Sequence, residues 1–200
     1  MISTKFFTSS FFLTICLTFL IFNATAQENS RDRIGISLAG EFQGESFNLN
    51  TGFIGYRNFT PKSGLELGVL FRTELDGFTF DFDEPNGGTY SEYISIREGF
   101  LNFPILYRFT TKFATFSIGP NVDAFTSWDQ IGGNRVTVNS YDIDPSVQIG
   151  ALFKISRVIP LKGTVAIEPE FRMGRRSLME GEDIYFGFGV RVHQAIKLRK

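Results

Sequence analysis

Cysteine and histidine each occur once in this 200-residue chain, as Cys16 and His193, and so does tryptophan, as Trp128. A single cysteine closes no disulfide within the chain and builds no thiolate metal site. A single histidine excludes a centre made of several imidazoles, and any Ser-His-acid hydrolase would have to use His193. Charge of one sign is nowhere concentrated, because 20 bases are interspersed with 21 acids and no long basic run occurs. Nucleic acid, which needs clustered Lys and Arg, is therefore not an expected partner. Helical periodicity is also hard to find beyond residue 27.

In place of these features the chain has 24 phenylalanines and 20 glycines, a composition that points to an all-β fold. Residues 1–26 read as a secretion signal. Lys5 supplies a weak positive start, Phe11 to Phe22 is an almost unbroken apolar run, and Ala24-Thr25-Ala26 offers the small residues a signal peptidase needs. The run falls short of the roughly 20 apolar residues of a membrane-spanning helix. Bulky Ile15 before Cys16 does not suit a lipoprotein-type cleavage site, so Cys16 reads as apolar filler lost with the signal. Cleavage after Ala26 leaves residues 27–200 as one domain.

That domain alternates. From Asp183 to His193, Ile184, Phe186, Phe188, Val190 and Val192 oppose Tyr185, Gly187, Gly189, Arg191 and His193, the period-two signature of a strand with one apolar face. Seven further strands are expected. They run from Arg33 to Gln43, from Phe47 to Phe59, around Leu65–Asp76, up to Phe109, around Phe116–Ala124, around Ser146–Ile155 and around Val165–Met173. In the second, Leu49, Thr51 and Phe53 compete with Ile54 and Tyr56 for the apolar side. In the fourth, Ile94 and Ile96 fall out of phase with Leu101, Phe103, Ile105, Tyr107 and Phe109, which predicts a bulge near Arg97 to Gly99.

Strands of 10 residues or more suit a membrane, where a tilted strand needs roughly 9 to 11 residues against about 5 to 6 in soluble folds. The polar face carries Gly35, Gly68, Gly119, Gly150, Gly174, Gly187 and Gly189, small enough for the narrow interior of an eight-stranded barrel. Connections alternate between short (Thr60–Ser63, Thr110–Lys112, Arg157–Lys162) and long (Asp81–Ser91, Ser127–Tyr141, Arg175–Asp183), as periplasmic turns and outer loops do. Only Gly44 to Ser46 is short for the outer side. The expected fold is an eight-stranded antiparallel up-and-down transmembrane β-barrel in a Gram-negative outer membrane.

The segment Gly99-Phe100-Leu101-Asn102-Phe103-Pro104-Ile105-Leu106-Tyr107-Arg108-Phe109, followed by Phe116-Ser117-Ile118-Gly119-Pro120, resembles the PorT-like outer-membrane β-barrel proteins. Leu65-Glu66-Leu67-Gly68, Ile167-Glu168-Pro169-Glu170 and Tyr185-Phe186-Gly187-Phe188-Gly189 are weaker echoes. The resemblance implies fold and location and carries over no catalytic residue. Such barrels commonly end on an aromatic residue, whereas this chain continues through Gln194 to Lys200. Either that tail hangs free in the periplasm or His193 is the wrong place for the strand to end.

The inward face gathers Glu41, Glu66, Glu74, Asp76, Asp123, Glu168 and Glu170 against Arg72, Arg108, Lys154, Arg172 and Arg191. Paired carboxylates can do acid-base work, but a narrow barrel must neutralise the charge it encloses, and a cross-lumen ion-pair plug is the expected arrangement. His193 is expected at the periplasmic rim, Trp128 at the membrane interface, and Gly132-Gly133-Asn134 in a turn. The resulting reading is a non-enzymatic barrel with a plugged interior, no cofactor and no metal, acting structurally or as a binding platform through its outer loops. Its expected partners are outer-membrane lipids, the barrel-assembly machinery during insertion, and an extracellular or periplasmic protein. The alternatives are a lipid-modifying outer-membrane enzyme and an accessory of a secretion system.

Overall fold

The period-two pattern becomes a division between two surfaces. In β1 (Asp32–Gln43), Ile36 is 57% exposed while its neighbour Ser37 is 2% exposed, and the same alternation continues to Phe42. The computed structural model describes residues 32–44, 46–83, 87–133, 137–141, 143, 145–161, 163–177 and 184–196. The expected signal segment lies outside them. After β1 come β2 (Ser46–Asn58), β3 (Ser63–Asp83), β4 (Thr89–Thr110), β5 (Thr115–Gln130), β6 (Val147–Ser156), the two-residue β7 (Ile159–Pro160), β8 (Val165–Arg175) and β9 (Ile184–Ile196).

All pairings are antiparallel between sequence neighbours, with two that close the ring. β1 pairs with β9 from Asp32↔Ile196 to Phe42↔Phe186, and β6 pairs with β8 from Ala151↔Arg175 to Ser156↔Glu170. Eight strands form the wall, and β7 is a short ribbon on β8. The polarity is inverted relative to a soluble barrel. Phe53 is 67% exposed on the outside, whereas Arg72, Lys154 and Arg191 are essentially inaccessible inside. An apolar exterior around a polar interior is the architecture of a membrane-spanning β-barrel.

Short turns join β2 to β3 and β4 to β5 by the same chemistry. Thr60 Oγ1 accepts from the N–H groups of Lys62 and Ser63 at 3.2 and 3.0 Å. Thr111 Oγ1 accepts from those of Phe113 and Ala114 at 3.2 and 3.1 Å. These hydroxyl-capped turns occupy the end of the barrel that also holds Asp32 and Ile196. Phe59 and Phe113 stand exposed beside them. At the opposite end, the tight β1–β2 turn is possible because Gly44 adopts φ 55°, a left-handed conformation that costs glycine little.

Three expectations require correction. β2 resolves its competing faces by placing Leu49 and Phe53 outward and Ile54 and Tyr56 inward. β4 has no break in phase. Ile94 and Ile96 are fully buried and share the inward face with Asn102 and Arg108, because the interior at that level is apolar. A bulge does occur beside Gly99, but its extra residue is on β5. Gly99 opposes Ser127 while Phe100 opposes Phe125, leaving Thr126 between them with its hydroxyl on the Gly99 carbonyl at 2.9 Å. The third correction concerns the last strand, which runs past His193 through Gln194 to Ile196 and pairs with β1 throughout.

The hairpin of β3 and β4 is much longer than the wall. These strands have 21 and 22 residues, against 12 in β1 and 10 in β6. β2 pairs with β3 only as far as Arg72, and β5 pairs with β4 only as far as Ile96. Beyond these points Gly77–Asp83 and Thr89–Ser95 continue as a two-stranded ribbon projecting from the loop end.

Candidate functional site

The lumen places opposite charges against one another across the barrel. Arg191 on β9 reaches three carboxylates, with Nη1 at 2.8 Å from Glu66 Oε2, Nη2 at 2.9 Å from Glu168 Oε1 and Nε at 2.8 Å from Glu170 Oε2. Arg108 on β4 spans Glu66 and Glu168 at 3.1 and 2.9 Å. Lys154 on β6 meets Glu66 at 2.8 Å. Arg172 joins Glu170 to Glu41, the latter at 2.8 Å. Arg72 pairs with Asp123 at 3.1 Å. Five carboxylates (Glu41, Glu66, Asp123, Glu168, Glu170) thus meet five cations (Arg72, Arg108, Lys154, Arg172, Arg191), and the core is neutral.

Neutral side chains complete the network. Asn50 donates to Glu41 at 3.0 Å, and Asn102 and Asn121 donate to the two oxygens of Asp123 at 2.6 and 3.1 Å. Tyr56 donates to Glu168 at 3.3 Å and presents its ring to Arg108, whose Cζ lies 4.2 Å from the centroid. With Asn50 and Tyr56, all eight wall strands contribute. Buried Ile54, Leu70, Leu106 and Leu152 surround the charges, which strengthens every pairing and makes an unmatched charge costly. The inward glycines provide the room. A Cβ at Gly187 would come within 3.0 Å of both the Arg172 and the Glu41 side chains.

The loop-side mouth is built differently. Phe100 and Phe125 pack edge to face at 5.7 Å, and Tyr141 returns over them, parallel to Phe78 at 6.5 Å and 5.8 Å from Trp128. The Tyr141 hydroxyl donates to Glu98 and lies 3.2 Å from Asp76. Burial raises the Tyr141 phenol above its ordinary range. The loop after β5 is therefore fastened into the mouth by one aromatic residue. Arg176 pairs with Glu74 beside it, so Glu74 belongs to the mouth and not to the central network. Asp76 is exposed there.

Two single residues sit elsewhere than expected. Trp128 faces the mouth rather than the membrane interface, because the extra residue Thr126 shifts the alternation of β5 by one. His193 is buried, not on the rim, with Nε2 3.1 Å from Glu168 Oε2. Arg33 Nη1 lies 3.3 Å from His193 Nδ1. A guanidinium only donates, so Nδ1 accepts and the ring proton sits on Nε2, facing the carboxylate. Ser156 also donates to Glu168, at 2.5 Å. Serine, histidine and acid thus converge, but hydroxyl and imidazole both address the carboxylate and not each other. Reading sequence alone missed Tyr56, Asn50, Asn102 and Ser156 as lumen groups; the even-numbered alternation of β4 and β6 marks Asn102 and Ser156 as inward, whereas the competing faces of β2 hid Asn50 and Tyr56. Gly133 has φ 90°, in keeping with a turn; Asn134 and most of the last long connection lie outside the described residues. Among the described residues no group of three His, Cys, Asp or Glu is arranged to hold a metal.

No protein-family model matches the chain, and no curated protein matches it. Its path is similar to solved membrane barrels. A de novo designed transmembrane β-barrel is 8% identical, with 86% of this chain and all of that one covered at a TM-score of 0.40. Ail, the attachment invasion locus protein of Yersinia pestis, in complex with the heparin analogue sucrose octasulfate, is 10% identical over 82% of this chain and 95% of that one, TM-score 0.34. The translocator domain of the autotransporter NalP from Neisseria meningitidis is 9% identical over 94% and 95%, TM-score 0.32. The closed strand ladder itself establishes the chain as an eight-stranded antiparallel membrane-type β-barrel.

Proposed function

We propose that the protein is a non-conducting outer-membrane barrel of the PorT-like kind, whose lumen is a structural plug and whose loop end is a binding platform. The observation that carries this reading is the neutral cross-lumen core, in which Arg191 alone joins three carboxylates from β3 and β8. An ion crossing the barrel would have to displace charges that already satisfy one another in a low-dielectric setting. The short capped turns and the strand ends Asp32 and Ile196 belong on the periplasmic side, and the projecting hairpin outside. Barrel-assembly machinery and outer-membrane lipids are the partners this topology requires.

Reconstitution in planar bilayers tests the plug: the protein is expected to give no stepwise conductance, and reproducible unitary steps would overturn the reading. A protease site placed within 137–141 should be cut in intact cells, and one in Thr110–Lys112 should not. A lipid-hydrolase reading would draw on Ser156, His193 and Glu168. The way Ser156 and His193 share one carboxylate, buried in the plug, speaks against it, since neither hydroxyl nor imidazole has a substrate within reach. Lipid products formed by the wild type and lost in His193→Ala, detected by mass spectrometry, would sink the non-enzymatic reading.

A further inference from the structure

The projecting ribbon has an open edge whose chemistry selects a partner. Thr110 N–H donates to the Lys62 carbonyl, and the β3–β4 register continues unbroken from Ser63↔Phe109 to Asp83↔Thr89. Even-numbered residues of β3 therefore bond to β4, and odd-numbered ones turn their backbone groups the other way. Two contacts agree: the Ser63 carbonyl accepts from Phe59 N–H, and the Leu75 carbonyl accepts from Ser46 Oγ. Above Leu75, β2 has ended. Among the described residues no strand pairs with Gly77, Thr79, Asp81 and Asp83 on that side.

The side chains along this edge alternate between Phe78, Phe80 and Phe82 on one face and Thr79, Asp81 and Asp83 on the other. Phe80 is 44% exposed, and Thr79, Asp81 and Asp83 are exposed. Tyr93, 61% exposed, lies on the acidic face across from Thr79. The described ribbon, 76–83 and 87–95, contains Asp76, Asp81, Asp83 and Glu92 and no base at all. Asp81 accepts a hydrogen bond from Ser91 Oγ at 2.5 Å, a neutral partner that leaves the charges of Asp81 and Asp83 for a guest to answer.

We infer that the edge Gly77–Asp83 is a docking strand for an extended basic segment of another protein, one with Lys or Arg at every second position alternating with apolar residues. The guest adds as an antiparallel or parallel strand to the odd-numbered backbone groups from the Gly77 carbonyl onward, the Gly77 N–H being held by Asp76 Oδ1 at 2.8 Å. Its basic side chains lie against Asp81, Asp83 and the Tyr93 ring, and its apolar ones against Phe78, Phe80 and Phe82. This rests on the platform reading above, to which it adds the partner's chemistry.

The test uses the mature protein folded in zwitterionic detergent micelles, with fluorescein-labelled peptides followed by anisotropy against empty micelles. An alternating Lys-Val octapeptide is expected to bind saturably, its block isomer with four Lys then four Val at least tenfold more weakly, and a Glu-Val octapeptide not at all. The double variant Asp81→Asn, Asp83→Asn should weaken binding about tenfold. Thr79→Pro removes an edge N–H without touching the bond to β4 and should abolish binding while the barrel keeps its heat-modifiable mobility. Isotope-edited infrared spectra of a carbonyl-labelled peptide should report a strand. Equal affinity for the block isomer, or unchanged binding by Thr79→Pro, would overturn the inference and leave the silent-plug result intact; conductance steps would sink the plug reading whatever the peptides do.

Discussion

Two fillings occupy one barrel. At its centre, opposite charges from seven of the eight wall strands close on one another, with neutral Asn50 and Tyr56 from β2, among a few aliphatic side chains; at the loop-side mouth, Phe78, Phe100, Phe125, Trp128 and Tyr141 pack as rings, with buried Ile96 and Ile94 farther out along β4. The cation-π contact of Arg72 with Phe100, at 5.3 Å, marks where the two meet. The exterior of the wall shows no such division, since lipid demands apolar groups all round. The interior is free of that demand. It must only be full and satisfied, and rings or matched ions do this equally well.

The two fillings should fail by different amounts. Arg191→Met removes the cation that three carboxylates share, and a buried charge left unmatched costs about 3 to 5 kcal/mol. Denaturant unfolding in detergent is expected to show that loss, and a variant as stable as its parent would mean that Arg108, Lys154 and Arg172 satisfy the three carboxylates without Arg191. The wall offers a reference between the two. Phe188→Arg should cost about 2 to 4 kcal/mol against lipid, whereas Phe188→Leu should be mild. If the Leu variant were the damaging one, the apolar face would be an interior.

At the mouth, Tyr141→Phe keeps the ring and removes the hydroxyl from Glu98, an expected loss of about 1.5 kcal/mol. The double variant Ser127→Trp, Trp128→Ser tests the bulge, because Ser127, opposite Gly99, is exposed while Trp128, opposite Glu98, faces the mouth. As the chain's only tryptophan, the ring reports its own face directly: brominated lipids should barely quench it in the parent and quench it strongly in the exchanged variant. Quenching that is already strong in the parent would place Trp128 in the membrane interface.

The strands, most of their two faces and the acidic and basic inventory of the lumen are legible in the residues alone. A pleated strand obeys a period of two that residues i and i+2 reveal locally, and lipid outside leaves that signal uncorrupted wherever the wall crosses the membrane. It failed where the interior turned apolar. Ile94 and Ile96 looked out of phase because an inward apolar residue and an outward one read alike. Which acid meets which base, that His193 is enclosed by Arg33 and Glu168, that the bulge at Thr126 leaves Trp128 facing Tyr141, and that β3 outruns β2 to leave an open edge emerge only in the folded chain. Each of these depends on the register between strands or on contacts across the lumen, relations between residues far apart in the chain that no local period encodes.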